Sequence, residues 1–240
     1  SVYAYSRKYK QEEMGLMLRK ASPVDLDLWD ESWAIWKRVL AHNALIPAEL
    51  DEWYQIPRTS PFSLEWLLGR IAAKDAVRQW SSEKLGKELS LVDIEIRTDD
   101  KGKPYAVSEA AGDVTIPDIS ISHIGGNGYA ALVPEGKVGI DVSTVDNIDP
   151  EALMAAGFTD AEKALLEKMD GRKNITLVLF WSAKEAASKA LGSGIDDPRK
   201  WEIKEYDPET GLVKVHINGS VIECRTFVDG NDALAAAMIK

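Results

Sequence analysis

The sequence predicts an α+β fold of two pseudo-symmetric lobes, each a small antiparallel sheet packed on a long helix, with a cleft between them. Three observations point there. AAKDAVRQ (Ala72–Gln79) lines up with SAKEAASK (Ser182–Lys189), so that Lys74 matches Lys184 and Asp75 matches Glu185. Each of these helical stretches is followed by a β-rich segment of similar size. A chain of 240 residues, 45% of them hydrophobic, has enough apolar material for one large domain or two small lobes. The competing account of the repeat is coincidence between two Ala- and Lys-rich helices. The division expected is an N-terminal extension or edge strand over 1–20, one lobe over 21–136 and a second over 137–240.

In chain order, Val2, Ala4 and Ser6 alternate with Tyr3, Tyr5 and Arg7, the pattern of a short edge strand, with a tag or linker remnant as the alternative. Met14–Arg19 reads as another strand. Asp25–Asn43 is helical in character, because Trp29, Trp33, Trp36 and Leu40 recur at helical spacing, and such a stripe is core material rather than a ligand platform. Pro47 opens a short helix that ends near Trp53. Ser63 is placed to cap a long helix whose apolar stripe is Leu64, Leu67, Leu68, Ile71, Ala72 and Val77, with Gly86 near its end. Leu91–Ile96 alternates as a strand, and Asp99–Pro104 is a turn. Ile119–His123, the Gly125-Gly126-Asn127-Gly128 cluster and Tyr129–Val133 make the clearest hairpin signal, followed by a strand at Val138–Val142. Thr159 and Glu162 have the spacing of a capping box for a helix running to about Met169. Val213–Ile217, Asn218-Gly219, Ser220–Val228 and Ala233–Ile239 read as a strand-rich C-terminal part.

Phe180–Gly192 carries two readings of its start. Ser182 with Glu185 three residues on forms a capping box, and Trp181 with Ala186 the accompanying hydrophobic staple. Alternatively one helix runs from Asn174 and Ser182 lies inside it. In both readings Gly192 stops the helix, Lys189 sits in its last turn, and Ala183, Ala187 and Ala190 form a narrow face that lets another element approach.

The charge balance, 29 basic against 39 acidic residues and a net −10, argues against a broad nucleic-acid surface. No apolar run approaches a membrane span, and no signal segment opens the chain. One cysteine rules out an internal disulfide framework and a cysteine-based zinc site, and three scattered histidines without an HExxH pattern argue against a histidine one. Carboxylates remain as donors for a hard cation. Cytoplasmic localisation is the expectation. The chain begins with Ser1 rather than Met, as processing, a tag or excision from a longer protein would each produce.

Within Val138-Gly139-Ile140-Asp141-Val142, strand alternation puts Gly139, Asp141 and Ser143 on one side. A carboxylate at a strand end beside a glycine suits Mg²⁺, Glu185 offers a second, and Mg²⁺ is usually held by one or two carboxylates plus substrate phosphates. Ser122 and His123 before a Gly-rich turn, together with Arg70, Lys103, Lys184 and Lys189, are the residues placed to meet phosphate. Each has an ordinary use as well: Glu185 with Lys189 as an i,i+4 pair, Lys103 as a turn lysine, His123 as a strand-end histidine, Asp141 as a cap.

Together these residues resemble a known family. GID at Gly139–Asp141 followed some forty residues later by WSxKExxxK, Trp181–Lys189, is similar to the 4′-phosphopantetheinyl transferases. GKP (Gly102–Pro104), SISH-x-GG (Ser120–Gly126), FTDAEKALL (Phe158–Leu166) and WLLGRIAAKDAVR (Trp66–Arg78) also match, in the family's order, over roughly residues 55–192. The length resembles the two-lobed, monomeric Sfp-type class. The resemblance implies transfer of phosphopantetheine from coenzyme A to a serine of an acyl or peptidyl carrier protein, with Mg²⁺, or Mn²⁺ in its place, and an active site in the cleft between the lobes. By motif position it implies Asp141 and Glu185 as metal ligands. It puts Lys103 and Pro104 at the adenine nucleotide, Ser122 and His123 at CoA phosphate, and Lys189 at the pyrophosphate. Arg70 and Lys74 are further carry-overs for phosphate charge, to which Lys184 is added from its own position; separately, the chemistry needs a base for the serine proton, and Glu185 or Glu162 through a water is the candidate. No nucleic-acid or membrane partner is implied. The chain would act as a monomer or as a domain of a larger polyketide or fatty-acid synthase. Ser143 departs from the pattern, since many Sfp-type members carry an acidic residue there. A catalytically weakened CoA- or carrier-binding module of the same fold is the alternative.

Overall fold

The computed structural model describes residues 4–8, 16–23, 31–146, 148–169 and 171–240, and divides into two compact units, Ser1–Glu135 and Gly136–Lys240. The readings placed on Val2, Tyr3, Met14, Asp25 and Trp29, and on the side chain of Trp33, lie outside what is described.

The first unit contains β1 (Ala4–Lys8), β2 (Met17–Pro23), α1 (Glu31–Ala44), α2 (Pro47–Gln55), α3 (Phe62–Trp80), β3 (Glu95–Thr98), β4 (Pro104–Val107), β5 (Asp118–Ile124) and β6 (Asn127–Val133). β1, β2, β6 and β5 form an antiparallel sheet in that order, and β3 pairs with β4 as a separate ribbon. The expected hairpin is present with a tighter turn, since Asn127 and Gly128 already pair with Ile124 and His123. The expected stripe of α3 is buried, with Leu67, Leu68, Ala72 and Val77 inaccessible. α3 crosses β6 so closely that a β-carbon on Gly128 would lie 2.1 Å from the Gly69 nitrogen.

Several local expectations are corrected. Ser63 is not the cap of α3. It lies inside the helix, almost inaccessible, with its hydroxyl accepting from Lys37 Nζ at 2.7 Å and its carbonyl from Trp53 Nε1 at 2.8 Å. The alternation at Leu91–Ile96 is split between a short 3₁₀ turn, Leu91–Asp93, and the start of β3. Trp36 is only half-buried, and Leu40, Ala41 and Ala44 carry the core contact of α1 instead.

The second unit contains β7 (Lys137–Thr144), α4 (Pro150–Gly157), α5 (Asp160–Leu166), α6 (Lys173–Leu191), β8 (Glu202–Asp207), β9 (Leu212–Ile217), β10 (Ser220–Asp229) and β11 (Asp232–Ile239). Its five strands are all antiparallel, ordered β7-β11-β10-β9-β8. The predicted capping box of α5 is present, Thr159 and Glu162 bonding reciprocally. α6 is one helix from Lys173, which places Ser182 in its interior, so the box and staple read at Ser182 and Trp181 do not form. Gly192 ends it at φ 67°.

The sheet surface beneath α6 is lined by small residues. Gly139 pairs with Ala237, Asp141 with Ala235 and Ser143 with Ala233. Ala183, Ala186, Ala187 and Ala190 are fully buried on the helix. A methyl group on Gly139 would fall 1.9 Å from the carbonyl oxygen of Ala186 and 2.5 Å from the nitrogen of Ala190. Contact this close forbids any side chain at 139 and brings the helix against the strand that carries Asp141.

Candidate functional site

The two matched lysines of the repeat occupy equivalent structural positions, and neither is at a surface. Lys74 is wholly inaccessible and donates to Glu49 Oε2 at 2.5 Å and to the carbonyl of Ala44 at 2.7 Å. Glu49 is the third residue of α2. It accepts the backbone N–H of Ile46 ahead of its own helix at 3.1 Å and that of Ile96 on β3 at 2.9 Å. Lys184 repeats the arrangement in the second unit, equally inaccessible, against Glu162 at 2.8 Å and the carbonyl of Gly157 at 2.7 Å. Glu162, third residue of α5, accepts the N–H of Thr159 at 2.8 Å and that of Ile203 on β8 at 2.8 Å. Burial pushes both lysines below their ordinary range, while the facing carboxylates pull them back up.

These staples correct three expectations. Lys74 and Lys184 are placed to tie a long helix to a short one rather than to meet phosphate, and Glu162 has no access to a substrate proton. Each buried charge is satisfied by its partner and by backbone groups. Glu49 was missed because a glutamate three residues after a helix start reads as a routine first-turn acid. Its signal was the match between PAE in α2 and DAE in α5.

Arg70 is also committed locally. Its guanidinium lies 3.3 Å over the Trp66 ring and reaches Glu52 at 3.1 Å. Of the other nucleotide candidates of the first unit, Lys103, Pro104 and His123 keep partial exposure. Lys103 Nζ pairs with Asp118 at 2.6 Å, and Pro104 opens β4. His123 at the end of β5 faces Glu65 of α3 at 3.4 Å, Phe62 edge-on at 5.2 Å, and Ser122 beside it is buried.

The second unit gathers Asp141, Glu185 and Lys189. The close approach of α6 to β7 brings them together. Lys189 Nζ donates to Asp141 Oδ1 at 2.8 Å and to the carbonyl of Ile140 at 3.1 Å, with about a third of its side chain exposed. Among the described residues, no hydrogen bond or ion pair reaches the Glu185 carboxylate. Its pKa is held above the ordinary carboxylate range, first by burial, then by the negative charge of Asp141, against the opposing pull of Lys189. The match at Asp75 is different: it is neutralised by Arg19 at 3.3 Å and Arg78 at 3.2 Å. So the same sequence position carries an ion-paired acid in one unit and, among the described residues, one without an ion pair in the other.

Among the described residues no cluster of three or more His, Cys, Asp or Glu could hold a metal. The donor set of two carboxylates, one of them strained by the other, fits a hard cation that takes its remaining ligands from phosphate oxygens and water. Ser143 bonds Asp141 rather than extending the acid pair: its hydroxyl donates to Oδ2 at 3.3 Å. Ser182, which the sequence left open between a cap and a helix interior, donates to Ser143 Oγ at 3.0 Å from a fully buried position.

Comparison with known proteins bears on this region. A family model described as the 4′-phosphopantetheinyl transferase superfamily matches residues 137–238. The holo-[acyl-carrier-protein] synthase of Bacillus subtilis is 36% identical over 83 residues, covering 35% of this chain and 66% of its own length. That of Bacillus thuringiensis is 42% identical over 59 residues, 25% of this chain and 47% of its own. The solved holo-[acyl-carrier-protein] synthase of Thermotoga maritima aligns at 19% identity and a TM-score of 0.30, over 43% of this chain and 62% of that one. The chain thus spans between about half and two thirds of the curated relatives it matches. The stretch that matches this superfamily, residues 137–238, contains Asp141, Glu185 and Lys189.

Proposed function

We propose that the chain transfers 4′-phosphopantetheine from coenzyme A to a serine hydroxyl of an acyl or peptidyl carrier protein, with Mg²⁺, or Mn²⁺, held by Asp141 and Glu185. The observation that carries the reading is the pairing of two carboxylates from β7 and α6, Asp141 held by Lys189 and Glu185 with no hydrogen-bond partner among the described residues. The serine oxygen attacks the phosphorus bearing pantetheine, the bond to the bridging pyrophosphate oxygen breaks, and adenosine 3′,5′-bisphosphate leaves. A bound cation supplies charge stabilisation for the phosphate oxygens. Lys189 adds a cation beside it on a partly exposed stem that can reach a phosphate. The serine proton needs an acceptor, and Glu185, acting through a water, is the carboxylate proposed to take it. Lys103, Pro104, Ser122 and His123 are proposed to take the nucleotide.

A second reading, a module that binds CoA or a carrier without efficient transfer, is favoured by Ser143, which departs from the acid that the resembled Sfp-type pattern often has there. Incubation with CoA, Mg²⁺ and an apo-carrier, followed by intact-mass measurement, separates the two. The expected result is a phosphopantetheine adduct on the carrier that is abolished in Glu185→Ala. CoA binding without an adduct supports the module instead.

A further inference from the structure

We infer that Ser182 and Ser143 form a hydroxyl relay that sets the orientation of Asp141 as a metal ligand, with Ser182 its buried anchor and a positioning residue for the site. The inference rests on reading Asp141 and Glu185 as the cation-binding pair.

The polarity of the relay follows from hydrogen-bond inventory. An ionised carboxylate only accepts, and a hydroxyl has one proton. Ser143 therefore spends its proton on Asp141 Oδ2, at 3.3 Å. Its oxygen is left to accept, and Ser182 donates to it at 3.0 Å. The carbonyl of Ala233 lies farther from the Ser182 oxygen, at 3.4 Å, and is the weaker claimant for that proton. Charge on Asp141 thus propagates one donor direction through both hydroxyls.

The relay is rigid at its far end. Ser182 is wholly inaccessible in the interior of α6, and Ala233, which pairs with Ser143 across β7 and β11, is inaccessible too. Ser143 itself is only half-buried, so without Ser182 its hydroxyl could turn to water and release Oδ2. With Oδ2 held from the sheet side, Oδ1 is the oxygen presented to cationic groups, and Lys189 meets it at 2.8 Å. The serine at 143 then has a purpose other than weak ligation: it is a donor that orients Asp141, the acid of the same strand.

The test is Mn²⁺ affinity of the full chain, read by electron paramagnetic resonance of free Mn²⁺ without CoA or carrier. Ser143→Ala is expected to weaken binding about tenfold, the scale of outer-shell substitutions at metal sites. Ser182→Ala is expected to weaken it several-fold, and the double variant to be no weaker than Ser143→Ala alone, because a relay fails once. Ser182→Cys keeps the volume with a poor donor, covers a failure of the alanine variant to fold, and is expected to be weakened likewise. Ser182→Thr, which returns the hydroxyl, is expected to restore affinity. Wild-type affinity in Ser182→Ala or Ser182→Cys, or multiplicative losses in the double variant, overturns the relay. If those results accompany normal phosphopantetheine transfer, the proposed function stands without it. Coupled losses of Mn²⁺ binding without any transfer activity leave the relay standing and remove the function.

Discussion

Asp75 and Glu185 hold the same place in the repeated sequence and have opposite electrostatic fates. Two arginines neutralise Asp75, whereas Glu185 faces another carboxylate. Folding raises the proton affinity of Glu185, so the folded chain binds more protons than the unfolded one just above the ordinary carboxylate range. Stability therefore falls as pH rises through the elevated value, and at neutral pH the ionised group is a net cost. Glu185→Gln should raise Tm at pH 7 by about 1–3 °C, a shift kept small by solvent screening of a half-exposed group. The gain should fade as pH is lowered into the range where glutamate protonates in both states. Thermal unfolding of both proteins across pH checks this; a gain that grows on acidification contradicts it. If the proposed metal site is right, added Mg²⁺ or Mn²⁺ should raise the Tm of the unmodified chain, and removing the acid should abolish that rise.

At the scale of elements, each unit is organised by a lysine from its long helix inserted under a short helix. The glutamate that receives it also accepts a strand N–H, so one ion pair joins three elements. Lys184→Met strands the carboxylate of Glu162 and should cost about 3–5 kcal/mol in urea unfolding. Lys184→Met combined with Glu162→Gln should cost less than the sum of the single changes, because it leaves no uncompensated charge. The KM for CoA of folded Lys184→Met should be unchanged; a raised KM would return Lys184 to the nucleotide site. The second organising device is the absence of bulk between α6 and β7. Gly139 and the alanines of α6 and β11 make the helix-to-strand distance short enough for Glu185 and Lys189 to reach Asp141.

For the whole molecule, the net charge of −10 opposes long-range attraction to an acidic carrier protein. Recognition is then expected to depend on apolar contact with a few local cations. The rate of transfer to an acidic carrier should change by less than about threefold between low and physiological salt. A steep fall with added salt would show that a local basic surface governs the encounter. Among the described residues no helix is long and apolar enough to cross a membrane.

Patterns of short range were legible in the sequence: the β5–β6 hairpin, the apolar stripe of α3, the capping box at Thr159, the helix stop at Gly192 and the strand run of the C-terminal part. Each depends on residues a few positions apart, so periodicity and turn chemistry are sufficient to find it. Asp141, Glu185 and Lys189 were legible too, through motif spacing and the alternation that turns Gly139, Asp141 and Ser143 to one side. The short α4, β4 and β8 left no strong periodic signal, and the start of α6 stayed divided between two readings because Ser182 obeys the local grammar of a cap. Only tertiary structure showed that Ser182 is an interior donor, since its partners lie 39 and 51 residues away in sequence. The same holds for the lysines. Sequence aligned Lys74 with Lys184 without excluding coincidence, and an exposed phosphate ligand and a buried staple have the same local pattern. Their fate was decided by glutamates 25 and 22 residues distant, brought under the long helices by the packing of each core.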